Sequence, residues 1–239
     1  MEMDMQEQAL PGWVEPLATV FVALAVLTAI AVAYDIYGRG YRQRSLAVEG
    51  VWIISALWLG PFALPLYART GRTRTARWRA KHASGHELGL AAESASGSLP
   101  GAAASTISHV VAVPFVLATG LSLFAVPMYA MIAVILFLAI MMLWAFEYST
   151  ANRRKAGAMS VATALVVATV TVLAFDLGMV GWMLVLHFNM LLPSPGSVNF
   201  LFLMQIGNLL GLLAGLPVVA YLLVRGIKPT GARDQMAAA

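Results

Sequence analysis

Between Thr106 and Phe146 the chain carries no Asp, Glu, Lys or Arg. A soluble domain carries about 25% charged residues, so a stretch of this length without one has no place on a wet surface. Wound as a single helix it would measure about 60 Å, twice the hydrocarbon thickness of a bilayer. It must fold back on itself, and Ser122 to Pro127 is the natural turn, with spans near 104–123 and 127–147. The rest of the chain reads the same way. Only 11% of its 239 residues are charged, 60% are hydrophobic, and the mean hydropathy is +0.80. Those values exclude a secreted disulfide scaffold and a disordered chain, and they leave no room for a soluble enzyme.

Four further segments are long and apolar enough to span: about 15–37, 48–68, 158–187 and 198–223. The expected fold is therefore all-α, a polytopic transmembrane helix bundle of about six spans. It forms a single transmembrane domain over 1–235. The first segment does not read as a cleaved signal peptide, because Glu2, Asp4 and Glu7 precede it and its apolar run is too long. The one sizeable loop, about 69–103, is strongly basic in its first half. Its second half is rich in Ala, Ser and Gly and reads as flexible.

Basic residues set the expected orientation. With six spans, twelve of them share one side: Arg69, Arg72, Arg74, Arg77, Arg79, Lys81, Arg153, Arg154, Lys155, Arg225, Lys228 and Arg233. Only Arg39, Arg42 and Arg44 lie opposite. Both termini are thus expected in the cytoplasm, in a multi-pass protein of a prokaryotic inner (cytoplasmic) membrane. Pro61 and Pro65 leave open a re-entrant second segment, which would move Arg39 to Arg44 to the inner side. The basic loop suits topology and anionic lipid headgroups, with Trp78 as an interfacial anchor, and nucleic acid is not expected as a partner. The expected partners are the lipid bilayer and a helix-packing partner or second copy of the chain.

Ionisable groups at membrane depth are costly, so each is a candidate site. Asp176, Met179, Met183 and His187 recur at helical spacing and share one face, which Met190 extends if the helix continues that far. Imidazole and thioether are the ligand pair expected for copper, and a carboxylate attracts a cation or relays a proton. The alternatives are packing by flexible Met and pairing of Asp176 and His187 near helix ends. His109, near the expected start of the third span, would approach Asp176 from the cytoplasmic side, with His187 toward the opposite face. The two histidines are thus not expected at one centre. In the sixth span Gln205 and Asn208 share a face, and Gly207, Gly211 and Gly215 form a strip suited to close helix packing or a polar path. Pro217 is expected to bend that helix. Asp35 with Arg39, and Glu147 before Arg153 to Lys155, suit interfacial ion pairs.

There is no cysteine, no Gly-rich phosphate loop, no GxSxG elbow and no HExxH motif. His82 and His86 with Glu87 make a weak zinc pattern, broken by Ser84 and Gly85. No catalytic residue and no cofactor can be named.

The run Gly178-Met-Val-Gly-Trp-Met183, then His187, Pro193-x-Pro195, Phe202-x-Met204-Gln205-Ile206-Gly207, Gly211, Pro217-Val218 and Arg225-Gly-Ile-Lys228, resembles the prokaryotic membrane family catalogued as domain of unknown function number 4396. Asp35 and residues 60–67 are similar to that family's first two spans. The resemblance implies a polytopic membrane domain of unestablished activity. Members commonly carry a His-Cys-Gly-x-Gly-Cys segment at the third span; here Ser108-His109-Val110-Val111 keeps only the histidine. Three functions stay open: transport or handling of a small cation or metal ion, a non-transport membrane component acting through helix contacts, and an intramembrane enzyme.

Overall fold

The computed structural model describes residues 10–82, 88–152 and 159–228. Its helices are α1 (Val14–Tyr37), α2 (Leu46–Leu59), α3 (Leu90–Thr119), α4 (Pro127–Asn152), α5 (Val161–Phe188) and α6 (Val198–Val224), with short helical turns between α2 and α3. Six segments are long and apolar enough to cross a membrane, the second being Leu46–Arg74 taken as one unit. Their outward faces are apolar, with Leu27, Ile30, Val110, Phe137, Leu177 and Leu213 all exposed. The protein is a multi-pass membrane protein, and these faces suit lipid chains. Helix starts follow the sequence: Ser45, Ser160 and Ser197 accept the amides of Val48, Thr163 and Phe200 in turn. Gly120, in the left-handed region at φ +66°, ends α3.

The second segment does not run the length of the bundle. At Gly60, with φ +56° and ψ −141°, the chain enters a region that only glycine adopts freely, and Pro61 follows. The chain then returns through Ala63–Leu66, a π turn at Tyr67–Gly71 and a 3-10 turn at Arg72–Arg74. The return brings both ends of the hairpin together. The Gln43 amide donates to the Gly71 carbonyl at 3.4 Å, and the Trp52 and Tyr67 rings meet edge-on at 5.3 Å. The apex packs against Phe21 of α1, and the Gln205 amide of α6 donates to the Leu57 carbonyl at 2.7 Å. A broken helix is tolerated at membrane depth only where protein satisfies its freed carbonyls, and Gln205 does that here.

The hairpin fits the re-entrant alternative for the second segment, and the first and last described residues, Leu10 and Lys228, lie at opposite ends of the bundle. Residues Leu10 to Glu15 lie with the Leu191–Asn199 connection at one end. Lys228 pairs with Glu147 at the other, beside Arg74 and Glu93. Every Lys and Arg among the described residues sits at this second, basic end, Arg39, Arg42 and Arg44 included. Arg153, Arg154, Lys155, Arg233, His86, Glu87 and the acidic residues Glu2, Asp4 and Glu7 lie outside the described residues.

A correction concerns residues 90–103. The Ala-, Ser- and Gly-rich stretch is not a flexible loop but the first half of α3, with Ser94, Ser98, Leu99, Gly101, Ala102 and Ala103 buried. In water such a composition favours a linker. Inside a bundle small side chains let helices approach closely, and each hydroxyl can satisfy itself on its own helix. Ser94 and Ser98 donate to the carbonyls of Leu90 and Ser94 at 2.7 and 2.8 Å.

Candidate functional site

Five carboxylates are buried or nearly so within the described bundle, and four of them stand at the basic end with cations. Asp35 takes Arg39 at 3.1 Å, Arg72 at 3.4 Å and the Tyr67 hydroxyl at 3.1 Å. Glu49 receives Arg42 through two nitrogens, at 2.7 and 3.0 Å. Glu93 meets Arg74 at 2.9 Å, and Glu147 meets Lys228. Tyr41, in the α1–α2 connection, lies 3.9 Å under the Arg72 guanidinium, and hydrogen bonding from Arg72 pushes its phenol below the usual range.

Asp176 is the fifth, and it differs. Its residue is 4% exposed. Oδ1 accepts the Ser105 hydroxyl at 3.2 Å, while Oδ2 has no hydrogen-bond partner. A cavity of about 240 Å³ lies beside it, between α3, α4, α5 and the start of α6. His109, Asp176, Met183 and His187 line this cavity, with Met128, Met131 and Met204. Ser105 links two of these groups, because its carbonyl meets His109 Nδ1 at 2.8 Å while its hydroxyl holds Asp176. In the neutral tautomer that donates from Nδ1 to this carbonyl, His109 leaves its Nε2 lone pair to a ligand.

The structure therefore unites what the sequence separates by depth. Because α3 begins at Leu90, His109 lies about 28 Å along it and reaches the same cavity as His187. The four-residue stripe, in turn, divides. Asp176, Met183 and His187 border the cavity, whereas Met179 is buried in the core, with its sulfur 3.9 Å from the Ser105 hydroxyl and its side chain against Gly207. Met190 does not extend the stripe: α5 ends at Phe188, and Met190 is exposed with φ +53°. Among the described residues no group of three or more His, Cys, Asp or Glu side chains is placed to hold a metal ion. Any metal set here would have to draw on thioethers. Met128, Met131 and Met204 were not legible as partners, since they come from other helices and only tertiary packing brings them in.

The polar and glycine residues of α6 serve the helix contacts. Asn208 Oδ1 accepts the Thr106 hydroxyl at 3.2 Å, and its amide donates to Met204 on its own helix. A Cβ on Gly211 would lie 2.8 Å from the Phe175 carbonyl oxygen, and one on Gly178 would collide with the Leu210 backbone. The α5–α6 backbones thus touch at these two glycines. Gly207 faces Trp182, whose indole donates to the Leu203 carbonyl at 2.9 Å, and Gly215 lies against the Phe175 backbone. This strip is spent inside the chain and offers no free surface for a second copy. Pro217 lies within α6.

No curated protein and no solved structure matches the chain significantly. The family described as a domain of unknown function (DUF4396) matches residues 92–228, a span that contains every residue named above as lining the cavity. The match covers more than half of the chain, which therefore belongs to that family.

Proposed function

We propose that this protein handles a small soft cation, of the copper(I) class, at the cavity bordered by His109, Asp176, Met183 and His187. One observation carries the reading: two imidazoles, a carboxylate and thioethers from three helices border one cavity, and the carboxylate has an oxygen without a partner. Imidazole and thioether favour soft ions over calcium, magnesium or sodium. Asp176 supplies the negative charge that a monovalent ion needs in an apolar enclosure. Ser105 positions both His109 and Asp176, as outer residues do around metal ligands. The ion is cargo in this reading, and the sidedness follows from charge. With every described Lys and Arg at one end, that end faces the cytoplasm of a prokaryotic inner membrane and the cavity end faces outward.

Anaerobic titration of the detergent-purified protein with copper(I), against a competing chelator, tests the site. Silver(I) serves as a probe that does not change redox state. One ion per chain is expected. His109→Ala and His187→Ala should each weaken binding by about tenfold or more, and Met183→Leu by less, since thioether is the weaker ligand and Leu keeps the volume. Asp176→Asn keeps the hydrogen bond from Ser105 and removes the charge, so it should weaken binding while the protein stays folded. If the parent binds no more tightly than the His109→Ala/His187→Ala double variant, the reading fails.

A further inference from the structure

A second cavity, of about 130 Å³, lies at the basic end and is lined by Arg74, Glu93, Ser96, Gly97, Glu147 and Lys228 among others. α3 borders both cavities. Its residues Glu93, Ser96, Gly97, Leu99 and Pro100 line the basic one, and His109, Val113 and Leu117 line the other. What separates them is little more than two turns of this helix. Along it Glu93, Gly97, Gly101, Ser105 and His109 recur every fourth residue, so they form one ridge about 24 Å long. The ridge carries no bulky apolar side chain. The barrier is formed by its neighbours: at Gly101 an added Cβ would lie 3.1 Å from Thr171 Cγ2 and 3.5 Å from Leu143 Cδ2.

Two buried polar atoms flank this barrier without a hydrogen-bond partner, Thr171 Oγ1 and Asp176 Oδ2. A sealed, permanently dry partition would leave both unsatisfied at a cost it gains nothing for. A partition that opens lets each meet water or an ion in turn. We infer that the Glu93–Gly97–Gly101–Ser105–His109 ridge is the wall of a cation route joining the two cavities, closed in this structure where Leu143 and Thr171 press on Gly101. The inference rests on the cation reading for the identity of what passes, and adds where it passes. Gly101 then stands in the closed stretch, far enough from His109 and His187 for the barrier to be altered without touching the ion's ligands.

The test separates route from site. In proteoliposomes loaded with a silver-sensitive dye, the parent should admit silver(I). Gly101→Val should cut that flux at least tenfold, with silver(I) binding in detergent kept within threefold of the parent. Should Gly101→Val fail to fold, Gly101→Ala, whose methyl asks only a small shift of Thr171, should lower flux in the same direction. Binding without flux in the parent, or equal flux in parent and variant, overturns the route and leaves the site standing. Absence of binding in the parent overturns the site, and labelling then decides the route alone. The chain has no cysteine, so single thiols report cleanly. A membrane-impermeant cationic methanethiosulfonate should modify Ser96→Cys from the basic side and Val113→Cys from the opposite side. Each should react at least tenfold faster than Leu177→Cys, at a site 78% exposed toward lipid. Rates equal to that of Leu177→Cys would mean cavities closed to water, and no route.

Discussion

At the basic end of the bundle Asp35, Glu49, Glu93 and Glu147 each hold a cation, and Asp35 holds two and a phenol besides. Near the other cavity Asp176 holds one serine hydroxyl. Burial alone does not separate the two ends, since Glu49, Glu147 and Asp176 are all less than 9% exposed. What differs is whether the partner is built in. A carboxylate with a resident cation fixes architecture: Arg72 and Tyr67 tie the returning limb of the hairpin to α1, Arg74 ties it to α3, and Lys228 ties the end of α6 to α4. Asp176, with one serine hydroxyl on Oδ1 and Oδ2 unpartnered, ties no helix by charge among the described residues.

That contrast can be broken most sharply at Lys228. Lys228→Ala leaves Glu147 buried without its partner, and losing one member of a buried pair costs about 3–5 kcal/mol. Chemical denaturation in detergent should show it, and Lys228→Met combined with Glu147→Met should recover most of the loss. A Lys228→Ala protein as stable as the parent would remove the pair from the architecture. Next in size is the glycine contact between α5 and α6. Gly211→Leu should destabilise by about 1–3 kcal/mol or more through overpacking. Gly181→Leu, on α5 where nothing lies within 4 Å, should be mild. Equal melting temperatures for the two variants would sink the contact. The smallest expected effect is at Asp176. Asp176→Asn should change stability by less than about 1 kcal/mol, because no ion pair is lost and the amide oxygen still accepts from Ser105. A loss as large as that of Lys228→Ala would make Asp176 an architectural residue and erase the difference between the ends.

The apolar segments were legible because each obeys the one rule that length and hydropathy can express, and the glycines of α6 because small residues at spacing four have few other uses. The hairpin was legible only as an alternative. Hydropathy cannot distinguish a segment that crosses from one that enters and returns, and Gly60-Pro61 is a local signal whose meaning depends on Phe21 and Gln205 far away in sequence. The beginning of α3 was misjudged for a different reason. Small and hydroxylated residues read as a linker when water is the assumed solvent, yet Leu99 and Ala102 are fully buried. From that error the depth of His109 followed, and with it the separation of two histidines that share a cavity. The face of α5 that carries Asp176, Met183 and His187 was visible from spacing. The thioethers opposite it were not, since no pattern within one helix announces what another helix brings.

The hairpin also bears on how such a chain is assembled. A segment that enters and leaves by one face has no end to be handed across the bilayer during synthesis, so its seating can wait. Its cradle arrives late: Gln205, which closes the Leu57 carbonyl, follows it by 148 residues. Until α6 is made, that carbonyl has no such donor, and Leu46–Arg74 has no complete pocket to occupy. The final docking of the hairpin is therefore a long-range step near the end of biogenesis, as is the packing of α1 and α3 on α6.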